Sequence, residues 1–302
     1  MVVVTGLLTA QPGFRDRRAR EGCQTNQAGV VAVRVGFNGS EVDQSERARL
    51  ELIARDVAGD WSIVLSRPFG TLNYSYVAPA GDDAVLKVAS ARDEESIHEA
   101  DALEFWAGDG AVRMLRVDRS RRALLLERAW PGSDLTVLAD ALATEIAIDV
   151  ASRLWRPAAA PFHWVGHHVP RWLAEAQPES TAGRRLLDLA RERFDQLDVR
   201  RDTLVHGDLH HHNILNAGNR YVAIDPKPMI GEPEFDVPPF LWNPTGSQMT
   251  LEETERRLTA FAEAGLDERR MRAWALIRGA YLTVGDWVGN HAVEILEAIQ
   301  VS

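Results

Sequence analysis

The feature that most limits how this chain can fold is a change of pattern near Pro131-Gly132. Before it, the sequence is built from short β-branched or aromatic runs: WSIVLS (61–66), NYSYVAP (73–79), AVLKVA (84–89), AVRMLRV (111–117) and RALLLER (122–128). Runs this short, separated by RPFGTL and by the hairpin turn Gly81-Asp82-Asp83, read as strands of an antiparallel sheet. SERARLELIARDVA (45–58) places Ala48, Leu52, Ile53 and Val57 at helical spacing. DEESIHEADALEFWA (93–107) puts Ile97, Ala100, Leu103 and Phe105-Trp106 on or beside one stripe, with acids in its first turn.

After residue 131 the helical period dominates. Segment 134–155 carries Leu135, Leu138, Leu142, Ile146 and Val150 on one face, and 184–198 carries Leu186, Ala190, Phe194 and Leu197. Thr250-Leu-Glu-Glu253 is a capping box opening a helix that stops near Gly265, and 267–284 and 290–300 are also helical. Only NIL (213–215) and RYVAID (220–225) look like strands in this half. The expected fold class is α+β and two-lobed: a small antiparallel β-sheet N-lobe with one inserted helix at 41–128, a hinge near 127–133, and a larger, mainly α-helical C-lobe at 129–302. Residues 1–40 read as an extension outside the fold, disordered or produced by a start codon placed too far upstream.

Composition narrows the function classes. At 302 residues and 45 % hydrophobic, the chain can bury a large core. A net charge of −10 suits a small cationic partner and argues against nucleic acid, whose phosphates need basic patches. Cys23 is the single cysteine, so no internal disulfide or cysteine-built zinc site can form. The apolar start MVVVTGLL precedes a basic cluster, the reverse of a signal peptide, and no run reaches the roughly 18 apolar residues a membrane helix needs. The expectation is a soluble, cytoplasmic monomer or dimer with no membrane partner.

HGDLHHHNIL (206–215) holds four of the nine histidines. Consecutive His210, His211 and His212 point in different directions and cannot converge on one metal ion, which leaves a His-cluster hydrolase as the minor reading. Asp208 and Asn213 instead match H-x-D-x-x-x-x-N, in which the aspartate takes the proton of an attacking hydroxyl and the asparagine ligates a metal ion. Asp225 ends the next strand, where a second metal-binding acid belongs. Lys87, inside an otherwise apolar strand, and Glu99, on the following helix, fit the ion pair that holds nucleotide phosphates, with Glu95 as the second choice of partner. His206 would brace the loop, and His210 would orient it or approach the phosphates. Backbone N–H groups around Gly70, Thr71 and Asn73 would cover those phosphates, although no G-x-G-x-x-G is present. A nucleotide and a metal ion are what this order of residues calls for.

The stretches LVHGDLHHHNIL, AIDPK, GEPEFDV, LWNP, HEADALEFWAGDGAVRML and ALLLERAWPGSDL resemble the aminoglycoside/hydroxyurea phosphotransferase family, which includes streptomycin 6-phosphotransferases. The resemblance runs from about residue 48 to the C-terminus and departs from the family pattern at Pro228, where glycine is usual. It implies a protein-kinase-like fold, Asp208 as base, Asn213 and Asp225 on Mg²⁺, Lys87 on phosphate with Glu99 behind it, and Glu127 to Ala129 beside the adenine. It implies ATP, with Mg²⁺, as phosphoryl donor, and antibiotic inactivation, with streptomycin the typical acceptor. Streptomycin carries guanidinium groups, so Glu232, Glu234, Asp236 and Asp286 are candidate acceptor contacts, with Trp242 and Trp287 as stacking partners. Asp236 has a competing role as the anchor of its own loop. Kinases of hydroxyurea or other small alcohols, and an inactive nucleotide-binding regulator, are the alternatives.

Overall fold

The computed structural model describes residues 44–69, 75–178, 180–244, 250–282 and 289–300. Residues 1–40 and Gly70, Thr71, Asn73, Asp286 and Trp287 lie outside them.

The N-terminal part is a four-stranded antiparallel sheet in the order β1 (Ser75–Ala80), β2 (Ala84–Ala89), β4 (Ala123–Glu127), β3 (Met114–Asp118). In β2, Leu86 and Val88 turn to one face and Lys87 to the other, because side chains alternate along a strand. The Leu86 face is closed by α1 (Gln44–Trp61), whose Leu50, Ala54 and Val57 pack with Leu86, Val88 and Ala123. Lys87 is thereby left on the inner face, opposite α2 (Glu99–Trp106).

Three expectations for this part are corrected. WSIVLS is not a strand: Trp61 ends α1, and the run makes a single bridge, Leu65 to Ala80. The sheet therefore has four strands rather than five. The buried stripe of α1 is Leu50-Ala54-Val57-Ala58, and Leu52 is exposed. Residues 93–98 are turns before α2, and Ile97 is exposed.

The C-terminal part is helical around short sheets. Its helices are α3 (Asp140–Leu154), α4 (Val165–Glu175), α5 (Thr181–Gln196), α6 (Val237–Trp242), α7 (Leu251–Glu263), α8 (Glu268–Leu282) and α9 (Gly289–Ala298). Thr250 caps α7 by accepting the Glu253 amide, as its sequence requires. The helix expected at 134–155 is split: a 3₁₀ turn covers Leu135–Val137, and α3 begins at Asp140. Its buried face is Ala143-Ala147-Ala151 with Val150 and Leu154, while Leu142 is exposed. α4 was not expected; Val165, Val169 and Leu173 mark its buried face, and Gly166 and Pro170 obscure the pattern.

Four strands of two or three residues, β5 (Arg156–Pro157), β7 (Thr203–Val205), β10 (Met229–Gly231) and β6 (His163–Trp164), pair in that order. β8 (Ile214–Asn216) and β9 (Tyr221–Ala223) form a separate hairpin. β7 delivers the chain to His206, and β9 delivers it to Asp225. No helix among the described residues is long and apolar enough to cross a membrane.

Candidate active site

The two parts meet on Lys87. Its Nζ donates to both carboxylate oxygens of Glu99 at 2.7 Å and to Asp225 Oδ1 at 2.6 Å. Burial alone would drive this ammonium neutral, but the charges of Asp225 and Glu99 outweigh it and hold its pKa above the ordinary lysine value. Asp225 is correspondingly held well below the carboxylate range: burial opposes ionisation, and Lys227 and Lys87 overcome it. Lys227 Nζ lies 3.5 Å from both Asp225 Oδ1 and Asp93 Oδ2. The backbone of Asp225 is left-handed, φ 55°, a cost the surrounding contacts must hold in place. On either side of it the Ile224 amide donates to the Asn213 carbonyl (2.9 Å) and the Lys227 amide to the His206 carbonyl (2.7 Å).

Asp208 sits on the loop after β7. It is buried, yet His210, Arg278 and Lys227 hold its carboxyl below the usual value against the effect of burial, so it is an anion at neutral pH. Asn213 Nδ2 donates to the backbone oxygen of Asp208 at 2.9 Å and approaches its Oδ2 at 3.4 Å. His210 is turned inward: Nδ1 accepts the His212 amide at 3.2 Å, and Nε2 lies 3.2 Å from Asn213 Nδ2 and 3.7 Å from Asp208 Oδ2. Of the two roles expected for it, orienting the loop is the one its contacts serve. His212 Nδ1 is 2.8 Å from Asp134 Oδ2, which ties the catalytic loop to the hinge.

His206 is wholly buried and stacked beside Trp106 of α2, with ring centroids 6.3 Å apart. Burial lowers its pKa, so it is neutral. Its Nδ1 accepts the Asp208 amide at 3.3 Å and its Nε2 donates to the Ile224 carbonyl at 3.1 Å, which fixes the tautomer. Gly207 has φ 83°, and a Cβ there would fall 2.0 Å from the carbonyl oxygen of Lys227. Only glycine fits between Asp208 and the Asp225 segment.

The acceptor candidates fare differently. Glu232 is fully buried, paired with Arg270 and bonded to Trp274 Nε1. Glu234 is buried and accepts the Asp267 amide. Asp236 accepts from the amides of His206 (2.7 Å) and Gly207 (2.6 Å) and from Trp155 Nε1 (3.0 Å). Glu232 and Asp236 are desolvated and held by fixed donors, which gives them a scaffold role; Glu234 is buried as well, with Oε1 on the Asp267 amide and Oε2 without a hydrogen bond among the described residues. Trp242 is likewise core. The Glu127 carboxylate accepts from Arg220 (2.6 Å) and from the Arg113 amide (2.9 Å). Glu95 does not pair with Lys87. It lines a cavity with Asp208, which the sequence did not signal because residues 93–98 leave the helical register that would have stacked it under Glu99.

His211 offers a check on the loop's packing. It stacks on Phe240 with centroids 4.0 Å apart, and burial pushes its pKa down to about 3. Its folded pKa is depressed, so its stabilising contribution is complete above the unfolded value near 6.5 and is lost as pH falls from there toward about 3. Between pH 7 and 5 that loss is about 2 kcal/mol. His211→Phe should therefore lose less stability than the wild type over that interval, as read by chemical denaturation. Parallel losses would mean that the imidazole titrates normally in the folded protein.

A buried lysine–glutamate pair crossing to an acid at the end of a strand, with an anionic aspartate and an asparagine on the preceding loop, is the arrangement of a phosphotransferase with a protein-kinase-like fold. Solved structures agree on the fold. Aminoglycoside phosphotransferase APH(4)-Ia, in a ternary complex with ADP and hygromycin B, superposes with a TM-score of 0.57 at 17 % identity over 82 % of this chain and 97 % of that one. Choline kinase LicA from Streptococcus pneumoniae gives 0.56 at 15 % identity over 83 % and 99 %. The profile of the aminoglycoside/hydroxyurea antibiotic resistance kinase family matches residues 66–288, and the chain belongs to that family. It is 31 % identical to the streptomycin 3''-kinase of Klebsiella pneumoniae over 241 residues, 72 % of this chain and 85 % of the relative. It is 38 % identical to the hydroxyurea phosphotransferase of Kitasatospora aureofaciens over 215 residues, 66 % of this chain and 60 % of the relative. The protein is thus a phosphotransferase of aminoglycoside or hydroxyurea type.

Proposed function

We propose that this protein transfers the γ-phosphoryl group of ATP to a hydroxyl of a small cationic acceptor of aminoglycoside type, with the 6-hydroxyl of streptomycin as the first candidate, and so inactivates the antibiotic. The observation that carries this reading is the convergence of Lys87, Glu99 and Asp225 from one side and Asp208 and Asn213 from the other. Lys87, braced by Glu99, would bind phosphate oxygens. Asp208 would orient the acceptor hydroxyl and take its proton as the new O–P bond forms and the bond to the ADP oxygen breaks. The backbone at Glu127 to Ala129 would meet the adenine.

Asn213 and Asp225 fit Mg²⁺. The Asn213 amide nitrogen is occupied by Asp208, which leaves its carbonyl oxygen as the ligand, and Asp225 Oδ2 takes no hydrogen bond among the described residues. Hard oxygen donors of this kind suit magnesium, which commonly takes one or two protein carboxylates and completes its shell with phosphate and water. Bound Mg²⁺ would neutralise charge on the phosphates.

Hydroxyurea is the second reading, favoured by the 38 % identity to a hydroxyurea phosphotransferase. ATP consumption by the purified protein with streptomycin, kanamycin, hydroxyurea and choline as acceptors decides between them, with the phosphorylated position mapped on the product. Turnover with streptomycin supports the first reading, turnover with hydroxyurea alone supports the second, and turnover with neither removes both.

A further inference from the structure

Beside Asp208 a cavity is lined by Glu95, Trp172, Met229, Tyr281 and Leu282. It lies next to the carboxylate that would receive the acceptor's proton, so a single group carried by the acceptor could reach into it. Its charged groups are unequal. Arg278 is fixed to the carbonyls of Gly207 (2.8 Å) and Phe235 (2.9 Å) and lies over the Phe235 ring. Lys227 is held between Asp225 and Asp93. Glu95 is half-buried and makes no hydrogen bond or ion pair with any described residue. A carboxylate withdrawn from water and left without a partner is a group waiting for a donor. The Trp172 and Tyr281 rings, with centroids 5.2 Å apart at 48°, add π faces to the same cavity, and such faces attract cations.

We propose that Glu95 is a specificity-determining residue of the phosphotransfer site: it receives an ammonium or guanidinium group of the acceptor, against Trp172 and Tyr281, while the acceptor hydroxyl is presented to Asp208. This rests on the phosphotransfer reading above and assigns the cation contact to a residue before α2 rather than to Glu232, Glu234 or Asp236. The electrostatics support it. Burial, together with the negative charges of Asp93 and Asp208, raises the Glu95 pKa to about 7 against the pull of Lys227 and Arg278. Those four groups and the Tyr281 hydroxyl are the titratable and charged groups facing it. A cationic acceptor would bind the ionised form, so its affinity should rise as pH increases through about 7.

The test uses the full chain, streptomycin as the probe, and Glu95→Gln and Glu95→Asp. Glu95→Gln should raise KM for streptomycin by about tenfold or more, the loss of one charge-assisted contact, with KM for ATP within about twofold of wild type. It should also flatten the rise of streptomycin affinity between pH 6 and 8, and Glu95→Asp should restore part of both. An unchanged streptomycin KM and pH profile in Glu95→Gln would overturn the assignment. Direct binding by calorimetry separates the two layers. Streptomycin that binds the wild type, binds Glu95→Gln more weakly and is never phosphorylated would uphold Glu95 and sink the phosphotransfer reading. Equal binding to both proteins would sink Glu95 alone, and no binding to the wild type would sink both.

Discussion

Asp208→Asn should lower kcat by about 10²- to 10³-fold while ATP still binds, the loss expected when a positioned general base is removed. The substitution is nearly isosteric, and the loop around it is held by backbone hydrogen bonds that the substitution leaves in place. The Asp208 amide remains on His206 Nδ1, its carbonyl remains on Asn213 Nδ2, and Gly207 remains clamped by Asp236. A fall in kcat would therefore report lost chemistry and not a displaced loop. Because His210, Arg278 and Lys227 keep Asp208 ionised despite burial, the wild-type rate should not begin to fall through this group until pH drops below the ordinary carboxylate range. Steady-state kinetics with a saturating acceptor, and calorimetric titration of Mg·ATP, measure the two quantities. Near-normal turnover in the variant would leave Asp208 only a positioning role and would shift the proton to phosphate or solvent.

What the sequence made legible was local. Asp208 and Asn213 share one loop, so their spacing is enough, and Asp225 follows within a single hairpin. Lys87 was legible because strand alternation sets it apart from Leu86 and Val88, and Glu99 because it opens the next helix. Glu232 and Glu234 were misread, and Asp236 kept two readings of which the loop anchor is the one its contacts serve, because their fates are decided by distant partners. Glu232 meets Arg270 and Trp274, and Asp236 meets Trp155 and the amides of His206 and Gly207. No local pattern distinguishes an acid that will be saturated in the core from one that will face a ligand. The helix faces failed for another reason. Periodicity weighted large residues, yet α3 turns Ala143, Ala147 and Ala151 inward, where small side chains let neighbours approach, and leaves Leu142 outside. Strands of two or three residues such as β5 and β6 are too short for any period to register. Glu95 escaped for a related reason: acids at 95 and 99 would share a helix face, but α2 begins only at Glu99.

The second large effect is expected at the Lys87–Glu99 pair, where stability and activity can be separated. Lys87→Met removes a buried cation and leaves Glu99, 2 % exposed, without its countercharge. Breaking one side of such a pair costs about 3–5 kcal/mol, a fall of roughly 10 °C in Tm for a chain of this size. Adding Glu99→Leu should recover most of that loss, because an apolar pair of similar volume is about as stable as a buried ion pair. Asp225 needs no such compensation. Lys227 stays 3.5 Å away and keeps a countercharge beside it. Activity should follow a different course: both the single and the double variant should lose ATP turnover, because neither keeps the Lys87 ammonium for the phosphates. Thermal melts beside ATP-coupled turnover on the same three proteins read out both. A double variant as unstable as the single would mean that Lys87 is held chiefly by Asp225. A double variant that regains turnover would remove Lys87 from phosphate binding and assign that task to Lys227, which is half-buried and 3.5 Å from Asp225.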